Sequence, residues 1–144
     1  MNYAWTFIWI IIAFASISFW EAYIEGRHGG AAKQVGWVWK IFGLRLTGYH
    51  IMLFGVTIPL FLLLPIIAYG YDTKLLATVA CGYLIGIIIE DFLWFVVNPA
   101  YPFRQFRADK VWWYPWIKFG RWRMPLIYPV ALALALIIWG MWLR

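Results

Sequence analysis

LLATVACGYLIGIIIEDFLWFVV, residues 75–97, is an apolar run broken only by two adjacent carboxylates, Glu90 and Asp91. A helix needs about 20 apolar residues to cross roughly 30 Å of hydrocarbon, and this run suffices. A carboxylate at that depth costs about 3 kcal/mol or more, so it faces a bundle interior, a partner or a watery cavity. Three further stretches, 3–23, 49–69 and 125–143, approach the same length and apolarity. The pattern predicts an all-α, four-helix membrane bundle forming a single transmembrane domain over residues 1–144. Of the 144 residues, 65% are hydrophobic and 22% aromatic, well beyond the roughly half-apolar composition of a soluble domain.

Within the 75–97 run, Thr78, Gly82 and Gly86 recur every four residues, a ridge of small side chains that lets another helix approach closely. Glu90 is the next member of that series and is therefore expected inside the bundle. Asp91 lies about 100° further round, in line with Phe95 and Asn98. Pro59 and Pro65 each remove a backbone donor from the second span and predict a kink. Asn98-Pro99 ends the third span, with Asn98 a possible cap of its last carbonyls. Cys81 is the only cysteine and cannot form an intrachain disulfide. The first span has no basic residue before it and no small-residue cleavage pattern after it, so it is expected to be a retained helix and not a signal peptide.

Orientation follows from the 12 Lys and Arg residues. Arg27, Lys33, Lys40 and Arg45 fall between spans one and two; Arg104, Arg107, Lys110, Lys118, Arg121 and Arg123 fall between spans three and four. Only Lys74 and Arg144 lie on the other side. Positive charge collects in cytoplasmic loops, so both long loops are expected inside and both termini outside a plasma membrane. The net charge of +6 is carried by juxtamembrane residues among Trp and Phe, which favours anionic lipid headgroups as partners over nucleic acid. Trp37, Ile41 and Leu44 at helical spacing predict an interfacial amphipathic helix within 31–46. Trp112, Trp113, Tyr114, Trp116 and Trp122 read as an aromatic belt at the membrane surface.

The polar residues converge. Glu21, Glu25 and His28 share a helical face if the first helix continues to Gly29. His50 opens the second span, and Glu90 lies about 10 Å from the inner end of the third. Four of the six acids and both histidines thus fall in one leaflet, with Asp72 and Asp109 left in loops. Carboxylates and imidazoles form the ligand set of iron, manganese and zinc, and Glu25-Gly26-Arg27-His28 has the Glu-x-x-His spacing of carboxylate-bridged bundle sites, though no second copy occurs. Glu21, Glu25, His28, His50, Glu90 and Asp91 are the expected metal or cation site, with Asp91 behind the others.

The competing expectation is an accessory or self-assembling subunit, a homo-oligomer or part of a larger complex. Its acids would pair with Arg27, Arg45, His50 or indole groups. Proton or cation transport needs a path through the outer half, where only Thr57 and Thr78 offer polarity. A lipid-modifying enzyme lacks a nucleophile constellation, and Gly29-Gly30 is followed by no Gly-Lys-Ser phosphate loop.

Trp20-Glu21, Ile24-Glu25-Gly26, Thr47-Gly48-Tyr49-His50 and the run from Glu90-Asp91-Phe92-Leu93 through Asn98-Pro99 resemble an uncharacterised family of small archaeal and bacterial polytopic membrane proteins. The likeness extends through Trp112-Trp113 to Pro125 and Tyr128. That family has no assigned activity, so the resemblance implies a fold and a choice of residues, not a reaction. Its pattern places His after the paired Trp, where this chain has Tyr114, which removes a third histidine ligand. Glu90-Asp91-Phe92 is also similar to the paired acids of lycopene cyclase domains, a likeness confined to that tripeptide.

Overall fold

The computed structural model describes residues 2–33 and 35–144. Helix α1 (Tyr3–Glu25) is capped by Asn2, whose side chain accepts from Trp5 N at 3.3 Å. It stops at Gly26, where φ is +54° and the N–H returns to Ala22 O at 3.0 Å. The residue past a helix end commonly adopts such a positive φ, and glycine does so without steric cost. The face that would have aligned Glu21, Glu25 and His28 is therefore cut before His28.

The expected interfacial helix within 31–46 is absent. In its place stands an antiparallel hairpin, β1 (Val38–Ile41) and β2 (Leu44–Thr47), with Ile41 opposite Leu44 and Val38 opposite Thr47. Phe42 and Gly43 turn it at φ +49° and +80°, the two positive values that match the twist of paired strands. Trp37 and Trp39, two residues apart, pack against each other with ring centroids 4.6 Å apart and a 36° tilt between their planes, which period-2 backbone allows and a helix does not. A second hairpin, β3 (Trp116–Phe119) and β4 (Trp122–Pro125), turns at Gly120 with φ +59°. The all-α expectation is corrected accordingly: both long connections fold as strands.

Helix α2 (Gly48–Tyr69) starts under the Thr47 side chain, which accepts from His50 N at 3.3 Å. Over Ile51–Thr57 it widens to a π-helix, with Ile58 N–H bonding Leu53 O five residues back. Pro59 cannot donate and its ring crowds the carbonyl one turn earlier, so the wider turn accommodates it. Helix α3 (Thr73–Val97) is capped by Asp72, which accepts from Lys74 N at 2.7 Å and Leu75 N at 3.2 Å. Helix α4 (Ile127–Trp142) follows the second hairpin.

Among the described residues three helices, α1, α2 and α3, are long and apolar enough to cross a membrane; α4 is a shorter apolar helix. Helix α3 is the centre, packed along α1 on one side and α4 on the other, whereas α2 buries almost none of its surface. The small-residue ridge of α3 faces α1. A β-carbon on Gly82 would stand 3.0 Å from Ile10 Cδ1, and one on Gly86 would enter the Phe14 ring.

Two buried clusters result. One joins Ile10, Phe14, Ile58, Leu75 and Val79. The other joins Ala22, Trp94, Phe95, Tyr101, Val111 and Trp113 at the hairpin end. Trp113 is only 5% exposed and covers Gly29 and Gly30, so it belongs to the core, while Trp112 and Trp122 are exposed as a surface belt requires.

Candidate functional site

Capping and ridge packing together aim the acids of α1 and α3 at one another. Glu21 and Glu25 are on the buried face of α1, one turn apart, and Glu90 continues the Gly82/Gly86 ridge that meets that face. The first hairpin, through Leu44, Arg45 and Leu46, α2, and the segment carrying Trp113 and Tyr114 close the remaining sides. The result is a pocket of about 170 Å³ whose polar lining is Glu21, Glu25, Arg45, His50, Glu90 and Asp91. Phe54, Phe95, Trp94, Trp113 and Tyr114 supply an aromatic wall. Five of the six residues singled out from the sequence line this space. His28 does not; it lies past the end of α1, half-buried, where desolvation and then Lys33 and Arg27 hold its imidazole below the ordinary range.

Four of the acid oxygens already have donors. Tyr49 Oη donates to Glu21 Oε1 at 2.8 Å. Ala31 N donates to Glu25 Oε1 at 2.5 Å, holding Ala31 at φ +51°, a left-handed conformation that costs an alanine about 1–2 kcal/mol. Asp91 is satisfied on both sides: Tyr114 Oη donates to Oδ1 at 2.5 Å, and Tyr128 Oη donates to Oδ2. Burial, and next the Asp91 charge, push the Tyr114 hydroxyl well above the usual phenol range, so it stays a donor. His50 is oriented through Nδ1 by Thr47 Oγ1 at 2.9 Å.

Glu90 differs. It is 4% exposed, it shares the pocket lining with Glu21, and among the described residues its Oε1 has no hydrogen-bond partner. Trp94, one turn nearer the hairpins, likewise has an indole N–H without an acceptor among the described residues. A buried polar atom left unpaired costs about 1–3 kcal/mol. No acid of the pocket is ion-paired among the described residues; the one salt bridge there joins Arg107 and Asp109 on the surface. Arg45 spends one guanidinium nitrogen on Gly30 O and stacks 5.5 Å above the Trp112 ring. Among the described residues no three His, Cys, Asp or Glu side chains are grouped to hold a metal ion.

Three tyrosines that bond the acids, Tyr49, Tyr114 and Tyr128, were not among the site residues expected from the sequence, and Arg45 was expected there only as an ion-pair partner of the acids. Their signal was faint, because an isolated tyrosine near a membrane surface reads as interfacial anchoring. Only chain folding reveals that the three phenols point at carboxylates. Asn98 also departs from expectation. It does not cap α3 with its side chain; Nδ2 donates to Gly26 O at 2.8 Å, and Oδ1 accepts from Ala100 N and Tyr101 N.

No protein-family model matches the chain, and no curated protein or solved structure is significantly similar to it. The functional reading therefore rests on the pocket.

Proposed function

We propose that the protein is a multi-pass protein of the plasma membrane, both termini outside, whose Glu21–Glu90 carboxyl pair binds a cation at the level of the inner headgroups. One observation carries this reading: Glu90 Oε1 is buried, lines the pocket and lacks a donor. Two neighbouring carboxyl groups in a low-dielectric space repel one another unless a positive charge, a proton or another cation, lies between them. Four carboxyl groups against the single Arg45 guanidinium leave the lining short of positive charge.

Because no three His, Cys, Asp or Glu side chains among the described residues are grouped to hold a metal ion, a divalent iron, manganese or zinc ion would find only the Glu21–Glu90 pair here and would take the rest of its shell from water. The basic loops support the assigned orientation and a contact with anionic headgroups. The test uses the full chain in nanodiscs, with tryptophan fluorescence as readout because Trp94 and Trp113 line the pocket. Titration with manganese, zinc, sodium and methylammonium is expected to give a saturable change for at least one cation, absent in Glu90→Gln. No saturable change for any of them, together with no metal in gently extracted protein, overturns the reading.

A second reading, an accessory or self-assembling subunit, draws support from Asp91, whose two oxygens are both consumed by tyrosines that tie α3 to the segment just before the second hairpin and to α4. It expects Glu90→Gln to lower stability while bound cation stays unchanged.

A further inference from the structure

Beside the orphaned acceptor, the pocket holds an orphaned donor. Glu90 Oε1 wants an N–H or O–H, and Trp94 Nε1 wants an oxygen. A bare metal ion answers only the first. Arg45 adds a guanidinium at the hairpin end of the same lining, with no carboxylate paired to it among the described residues. The groups are also ordered by depth. Arg45 is in β2, just before the Thr47 cap of α2. Glu90 is seven residues inside the end of α3, about 10 Å at 1.5 Å per residue. Trp94 sits one turn along, between them.

We infer that the occupant is a small zwitterion, an ammonium group joined by a short chain to a phosphate or carboxylate. The ammonium enters first, between Glu21 and Glu90, and the anion is held by Trp94 Nε1 and Arg45. An ammonium has three donors and no acceptor, which suits a carboxyl pair, and the faces of Trp94 and Trp113 attract a cation. A guanidinium holds phosphate or carboxylate through parallel N–H donors. In a phospholipid the anion lies deeper than the ammonium, the reverse of this order, so the zwitterion comes from the aqueous side and not from the bilayer. This inference rests on the cation-binding reading above and names the ligand class.

The experiment compares phosphoethanolamine with ethylamine on the full chain in phosphatidylcholine nanodiscs, again by tryptophan fluorescence. Phosphoethanolamine is expected to bind about tenfold more tightly, the scale of one charge-assisted hydrogen bond. Arg45→Gln is expected to abolish that preference while leaving ethylamine binding, with Arg45→Lys retaining part of it. Equal binding of the two amines by the wild-type protein, or binding of metal ions alone, overturns the zwitterion and leaves the cation site standing. If nothing binds, both fall. Loss of phosphoethanolamine binding in nanodiscs containing phosphatidylethanolamine overturns the aqueous source. Because the deciding comparison uses wild-type protein, a variant that fails to fold does not blunt it.

Discussion

Asn98, at the end of α3, donates to the carbonyl of Gly26, at the end of α1, across 2.8 Å. Two helix termini far apart in sequence are thereby held level, and with them the depths of Glu21 and Glu90. Asn98 is itself 3% exposed and accepts from Ala100 N and Tyr101 N. Asn98→Ala removes the partner of three backbone groups, of which Tyr101 N is buried, Gly26 O is half-buried and Ala100 N belongs to an exposed residue that water can serve, and should lower stability by about 1–3 kcal/mol, the cost of one buried group left unsatisfied. Asn98→Asp keeps both acceptor bonds and should lose less. Thermal unfolding in detergent of the three proteins measures the order; equal Tm values for the wild type and Asn98→Ala would contradict it.

The two phenols on Asp91 form a clamp joining α3 to the segment just before the second hairpin and to α4. Tyr114→Phe and Tyr128→Phe should each cost about 1.5–3 kcal/mol, the scale of a hydrogen bond to a charged group. In an Asp91→Asn background the same changes should cost clearly less, and a double-mutant cycle on unfolding midpoints reads that coupling. Strictly additive effects would mean that the clamp contributes nothing.

Asp72 sits between α2 and α3 and accepts from Tyr3 Oη at 2.6 Å as well as from the first amides of α3. The Tyr3 hydrogen bond, followed by that from Leu75 N, holds its carboxyl below the ordinary value of 3.8. A depressed folded-state pKa stabilises the protein fully above the unfolded value and the benefit disappears as pH falls through the folded one. Wild type should therefore exceed Asp72→Asn in Tm at pH 6, and the difference should vanish on acidification below about pH 3. A difference that grows on acidification would refute this assignment.

Gly86 and Gly82 both face α1, but they should respond unequally to alanine. The added carbon of Gly86→Ala falls within the Phe14 ring, whereas that of Gly82→Ala stands no nearer than 3.0 Å to the Ile10 side chain, a contact that a shift of a few tenths of an ångström relieves. Overpacking costs about 1–3 kcal/mol when neighbours cannot yield, so Gly86→Ala should lower Tm more, and Phe14→Leu should rescue it in part. A larger loss in Gly82→Ala would reverse the argument.

Helix positions were legible in the sequence to within two residues, because length and apolarity alone identify segments able to span hydrocarbon. The Thr78, Gly82, Gly86 and Glu90 series also announced which face of α3 is buried, since a four-residue period in a helix is a geometric fact. The hairpins were not legible. Trp37, Ile41 and Leu44 satisfy a helical period and a strand equally, and Phe42-Gly43 at positive φ decided between them.

What the chain's sequence determined by itself is the set of apolar helices and the polar residues they carry to one end, because hydrophobic length and helical period act locally. What only the tertiary structure decided is which of those polar groups are already satisfied. Tyr49, Tyr114 and Tyr128 reach their carboxylates from 23 to 37 positions away, and Glu90 Oε1 is left without a donor. Hydrogen-bond partners in a packed core are set by which helices meet and at what height, and no local pattern encodes that.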